Sequence, residues 1–126
     1  MLDSQQHLSP TPLEIAVIMA ICEKHPSDRI SIETQLAAAK VVSRENTGAG
    51  FYTRFELQRS SNVAIGGTRV QDLRNGPQVT VEGLNHGMGF ILWLSEGFID
   101  CLEGYTYDDS TTALDLIDLE FKIVSS

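Results

Sequence analysis

From Val41 onward the apolar residues fall into short runs of period two broken by glycine, a pattern that suits strands folding back on one another and little else. Phe51, Thr53, Phe55 and Leu57 alternate with Tyr52, Arg54, Glu56 and Gln58, as in a strand with one face buried. The segment Thr47-Gly48-Ala49-Gly50 separates it from residues 41–45 and is short and flexible enough to close an antiparallel hairpin. Residues 60–76 are the least legible stretch, with one short strand expected near residues 69–73. Val79 and Val81 mark another strand, closed by the glycine-rich loop at 83–89. A last strand follows the polar connection at 104–112, where Leu119, Phe121 and Ile123 alternate with Glu120, Lys122 and Val124.

Residues 90–94 and 98–102 form the clearest hairpin, apolar on both faces and therefore expected at the centre of the sheet, covered on both sides at least in part. Its turn, Ser95-Glu96-Gly97, admits two registers. A two-residue loop pairs Leu94 with Ile99 and groups Phe90, Leu92 and Leu94 with Ile99, Cys101 and Glu103. A three-residue loop pairs Leu94 with Phe98 and groups the same three with Phe98, Asp100 and Leu102. The second is expected, because the first requires Glu96 at positive φ.

Ahead of the strands lies helical sequence. Thr11-Pro12-Leu13-Glu14 combines a capping residue, proline at the first helical position and the glutamate of a capping box. The following run, from Leu13 to Lys24, is apolar around most of its circumference, and His25-Pro26 ends it. Residues 28–39 read as a shorter helix with Ile32, Leu36 and Ala39 on one side. Residues 1–10 are polar and expected to be frayed and flexible. The expectation is one α+β domain over residues 1–126, two N-terminal helices packed on an antiparallel sheet of about five or six strands.

Charge narrows the function. Seventeen acidic against nine basic residues give a net charge of -8, which repels nucleic-acid phosphate and anionic lipid, so a charged partner is expected to be basic. The strongly apolar run at 13–22 is about half the ~20 residues a bilayer-spanning helix needs. With no basic leader ahead of it, a cytoplasmic address is expected. Cys22 and Cys101 lack framework spacing and are expected as buried, reduced thiols.

No cofactor or metal motif stands out. Cys22 and His25 lack the further ligands zinc needs, and the glycine pairs at 48–50 and 87–89 precede strand-like residues where a phosphate site needs a helix. Arg44, Arg54, Arg59, Arg69 and Arg74, interleaved with Tyr52 and Phe55, could form a local anion-binding strip, but with Glu45 and Glu56 among them they read as a mixed solvated face. Three residues carry a candidate acid/base site: His86 in a glycine-flanked loop, Glu103 on an otherwise apolar strand, and neighbouring Tyr105. Cys101, with Asp100 and Glu103 opposing thiolate formation, reads as a packed thiol. Acidic residues concentrate in the last third, with Asp108, Asp109 and Asp115 the candidate contacts to a basic protein.

Residues 48–57, Gly-Ala-Gly-Phe-Tyr-Thr-Arg-Phe-Glu-Leu, and residues 87–108, which end in Leu-Glu-Gly-Tyr-Thr-Tyr-Asp, resemble a small uncharacterised bacterial protein family with no established activity. The two stretches cover about a quarter of the chain. The resemblance implies a bacterial origin and the same strand–loop–hairpin order, and it transfers no catalytic residue. Members often carry tryptophan or proline soon after the aspartate, and Asp109-Ser110-Thr111 departs from that. The leading expectation is a non-enzymatic module that binds a basic protein, as small toxin-neutralising proteins do. A small enzyme or ligand pocket built on His86, Glu103 and Tyr105, and a homo-oligomer joined at a free sheet edge, compete with it.

Overall fold

The computed structural model describes residues 9–59, 70–73 and 76–125. Most of the stretch expected to be frayed, and the start of the strand expected at Arg69, lie outside the described residues. The order is α1 (Pro12–Glu23), a 3-10 turn (Pro26–Asp28), α2 (Arg29–Ala38), β1 (Lys40–Asn46), β2 (Gly50–Glu56), β3 (Val70–Leu73), β4 (Gln78–Val81), β5 (Met88–Ser95), β6 (Phe98–Thr106) and β7 (Phe121–Ser125). The protein is α+β, with helices first and an antiparallel sheet after them.

Helix α1 begins with the capping box its sequence spells: Thr11 Oγ1 accepts the Glu14 N–H at 3.1 Å, and Glu14 Oε1 accepts the Thr11 N–H at 2.8 Å. The sheet runs β1-β2-β6-β5-β4-β7, and β3 also pairs with β5. Leu73 faces Leu92 and Val79 faces Met88 on the same edge of β5, so β3 and β4 are two halves of one interrupted strand. The interruption holds Gly76, where a Cβ would meet the Phe90 carbonyl oxygen at 2.8 Å, and Pro77, which has no N–H for the ladder. The sheet is therefore six positions wide.

One face of this sheet carries the core. Val17, Ile18 and Ile21 of α1, with Ile32 and Leu36 of α2, pack on Phe51, Phe55, Phe90, Leu92 and Leu102, and Leu114, Leu116 and Leu119 of the irregular segment before β7 close the remainder. Phe51 and Phe90 meet edge to face at 6.1 Å. Gly104 makes room for them, since a Cβ there would come within 2.8–2.9 Å of both rings and Met88.

Two bulges set which side chains face this core. In β1 the register slips between Val41 and Ser43, leaving Val42 exposed and turning Arg44 inward beside Thr53. Arg44 Nε and Nη2 then donate to Glu14 Oε2 and Oε1, each at 2.9 Å, Thr53 Oγ1 donates to Oε2 at 2.6 Å, and Arg44 Nη2 also reaches the Ser9 carbonyl at 2.8 Å. The reading of Arg44 as part of a solvated face is thus corrected: its side chain is 8% exposed, beside a carboxylate at 1%.

The second bulge lies in β6. The hairpin turn is the two-residue one, with Ser95 opposite Phe98 and Leu94 opposite Ile99, and Glu96 at φ 54 with Gly97 at φ 87, both positive as a type I′ turn demands. The expected three-residue loop is therefore corrected. The register then shifts at Asp100, so Trp93 faces Cys101 and Leu92 faces Leu102. That single extra residue lets a tight turn coexist with Ile99 and Leu102 both facing the core, and it sends Phe98 to the other face, where the Arg59 guanidinium lies 5.2 Å from the ring centroid.

Candidate functional site

The bulge in β6 also decides what stands on the face away from the helices. In register across the sheet, Glu45 faces Tyr52, Tyr52 faces Glu103, and Glu103 faces Ile91. The next row is Ser43, Arg54, Cys101 and Trp93. On the other side of Glu103, Tyr105 sits between Gly50 and Gly89. All three tyrosines and the single tryptophan of the chain gather here, half-buried or exposed, whereas Phe51, Phe55 and Phe90 are core residues.

The centre of this face is Glu103. Trp93 Nε1 donates to its Oε1 at 3.0 Å and Tyr52 Oη to its Oε2 at 3.4 Å, so the carboxylate is oriented from both neighbouring strands. The carboxylate in turn acts on Tyr52, whose phenol is pushed above its ordinary range mainly by the Glu103 charge, with burial and the hydrogen bond adding to it. Beside them opens a cavity of about 290 Å³ lined by Tyr52, Arg54, Trp93, Leu94, Ser95, Asp100, Cys101 and Glu103. Cys101 is buried in its wall. Burial pushes that thiol up to about 11; Arg54 pulls it down, while Asp100 and Glu103 push it further up, so it stays protonated and unreactive near neutral pH.

Tyr105 continues the face. Its ring covers Gly89, where a Cβ would lie 2.5 Å from the phenol carbon and hydroxyl, and it meets Tyr107 edge to face at 5.7 Å. Tyr107 Oη donates to Gln78 Oε1 at 3.1 Å.

Of the sequence candidates, Glu103 and Tyr105 share this face, two residues apart on β6. His86 belongs to the loop before β5 and is exposed. Its backbone N–H and that of Asn85 donate to Asp109 Oδ2 at 2.9 and 3.1 Å, so the neighbouring carboxylate fixes the loop rather than the imidazole. Glu103 faces Ile91, three residues into β5 from Met88, or about 10 Å along the strand at ~3.3 Å per residue. Asp115 Oδ1 likewise accepts a loop N–H, that of Ile117, at 3.1 Å, whereas Asp108 is exposed at φ 71 directly after Tyr107. Neither Tyr52 nor Trp93 is among the sequence candidates for this site. Tyr52 carries a signal, an aromatic on the polar phase of the alternating strand at 51–58, whereas Trp93 lies in a run apolar on both faces and carries none.

Among the described residues no group of three His, Cys, Asp or Glu side chains is placed to hold a metal ion, and no helix is long and apolar enough to cross a membrane. No protein-family model, curated protein or solved structure matches the chain.

Proposed function

We propose that this protein is a non-enzymatic binding module that engages a basic protein through the open face of its sheet. The observation that carries the reading is the gathering of Tyr52, Trp93, Tyr105 and Tyr107 on one face around the oriented carboxylate of Glu103. Tyrosine and tryptophan bring large contact area at low entropic cost and dominate the energetics of protein interfaces. Charge selects the partner's sign, since Glu45, Asp100, Glu103 and Asp108 stand on or beside this face in a chain of net charge -8. Asp109 and Asp115, engaged with loop N–H groups, hold the neighbouring loops in shape.

The test is backbone amide mapping of the labelled protein with an acetylated hexalysine peptide at low salt. Shifts concentrated at residues 52, 93, 103, 105 and 107, lost at high ionic strength and weakened by Tyr105→Ala, are expected. Shifts spread evenly over the acidic surface, or confined to the helices, would refute the reading.

A further inference from the structure

We propose that the cavity between Trp93 and Tyr52 receives an arginine guanidinium of the basic partner, an assignment that rests on the binding role above. The cavity, about 290 Å³, lies just under the roughly 300–1,000 Å³ of typical small-molecule sites and is suited to one inserted side chain. Glu103 supplies the recognition. An ionised carboxylate offers about four lone-pair sites over its two oxygens. Trp93 occupies one on Oε1 and Tyr52 one on Oε2, which leaves acceptor capacity on each oxygen. A guanidinium donates two parallel N–H groups in a fixed fork and fills both oxygens at once.

The surroundings favour the same group. Trp93 is half-buried beside the carboxylate, and tryptophan is the strongest aromatic partner for a cation. A planar guanidinium can lie against the ring while its edge meets Glu103; a lysine ammonium is a strongly hydrated point charge without the fork. Asp100, displaced by the bulge, adds a second carboxylate to the lining. An anionic ligand would have only Arg54 in its favour, against Asp100 and Glu103. Arg54 itself opposes an incoming cation, and its removal should strengthen binding.

Trp93 is the chain's single tryptophan, so its fluorescence reads the site directly. The protein is titrated with acetylated hexaarginine and hexalysine, peptides of equal charge, at matched low ionic strength. Hexaarginine is expected to bind about tenfold more tightly. Glu103→Gln should erase that preference, Tyr52→Phe should reduce it, and Arg54→Gln should tighten both peptides. Tyr52→Phe retains the ring and serves as the decisive variant if Glu103→Gln does not fold. Equal affinity of the two peptides overturns the guanidinium assignment while amide shifts on the face leave the binding role standing. Absence of binding by either overturns both. A preference that survives Glu103→Gln, or weaker binding by Arg54→Gln, also overturns the assignment.

Discussion

The side-chain oxygen of Gln35 accepts the Ile99 N–H at 2.8 Å, in the position where a neighbouring strand would have supplied an acceptor. Strand β2 pairs with β6 only as far as Cys101, and Ile99, opposite Leu94 in a non-hydrogen-bonded pair, turns its N–H away from β5. The amide nitrogen of Gln35 donates to the Gly97 carbonyl at 2.9 Å, so one buried side chain from α2 stands in for a missing stretch of sheet. Replacing Gln35 by Leu leaves both backbone groups buried without these partners, at about 1–3 kcal/mol each. Urea denaturation should show the loss, and the Ile99 amide should exchange with solvent faster than its strand neighbours; unchanged exchange there would refute the role given to Gln35.

The Glu14–Arg44 pair predicts a non-additive response. Arg44→Met strands a buried carboxylate and is expected to cost about 3–5 kcal/mol, while the double variant Glu14→Gln, Arg44→Met is expected to lose less than the single one. A double variant that loses as much as the sum of the two singles would show that the pair is not coupled.

Glu96 holds a left-handed backbone conformation that asparagine adopts more readily, and Asn-Gly is the favoured type I′ pair. Glu96→Asn gives up only the exposed 3.3 Å contact with Arg59 and is expected to raise stability by about 0.5–1 kcal/mol. The midpoint of thermal unfolding measures it; a fall in that midpoint would count against the turn geometry.

Cys22 and Cys101 are free and buried, and burial is the main cause holding both near 11 against an ordinary value of 9.0. The folded state therefore keeps protons that the unfolded state releases first. This contribution is intact below about pH 9 and is lost as pH rises from about 9 through about 11. Urea midpoints should fall across that window, and Cys22→Ala or Cys101→Ala should flatten the fall. Native protein near neutral pH should label slowly with a thiol reagent, and quickly once unfolded.

Much of this architecture is legible in the sequence because it rests on local chemistry. The Thr11 cap, the end of α1 before Pro26, and the two hairpins follow from caps, prolines and glycines within a few residues of where they act. The bulges do not. One extra residue reverses the facing of everything beyond it, so a strict count of alternation places Arg44 in solvent, and the intrinsic cost of Glu96 at positive φ argues against the turn the chain uses. Only the demand to bury Ile99 and Leu102 together resolves that turn, and this demand comes from the helices. The candidate site divides the same way. Glu103 and Tyr105 stand out as polar residues in an apolar context, whereas the part played by Tyr52 depends on β2 flanking β6, which no local pattern encodes, and that of Trp93 on the bulge in β6 that sets it opposite Cys101.

That arrangement has a kinetic meaning. The β1–β2 and β5–β6 hairpins are each local and can form within microseconds, but the seam from Gly50 opposite Tyr105 to Arg54 opposite Cys101 joins segments far apart in the chain and must overcome the entropy of closing a long loop. Tyr52 reaches Glu103 only across that seam. The completed Tyr52–Glu103 pairing is therefore among the last things to exist as the polypeptide folds, and any partner that required it would discriminate finished molecules from those still on the way.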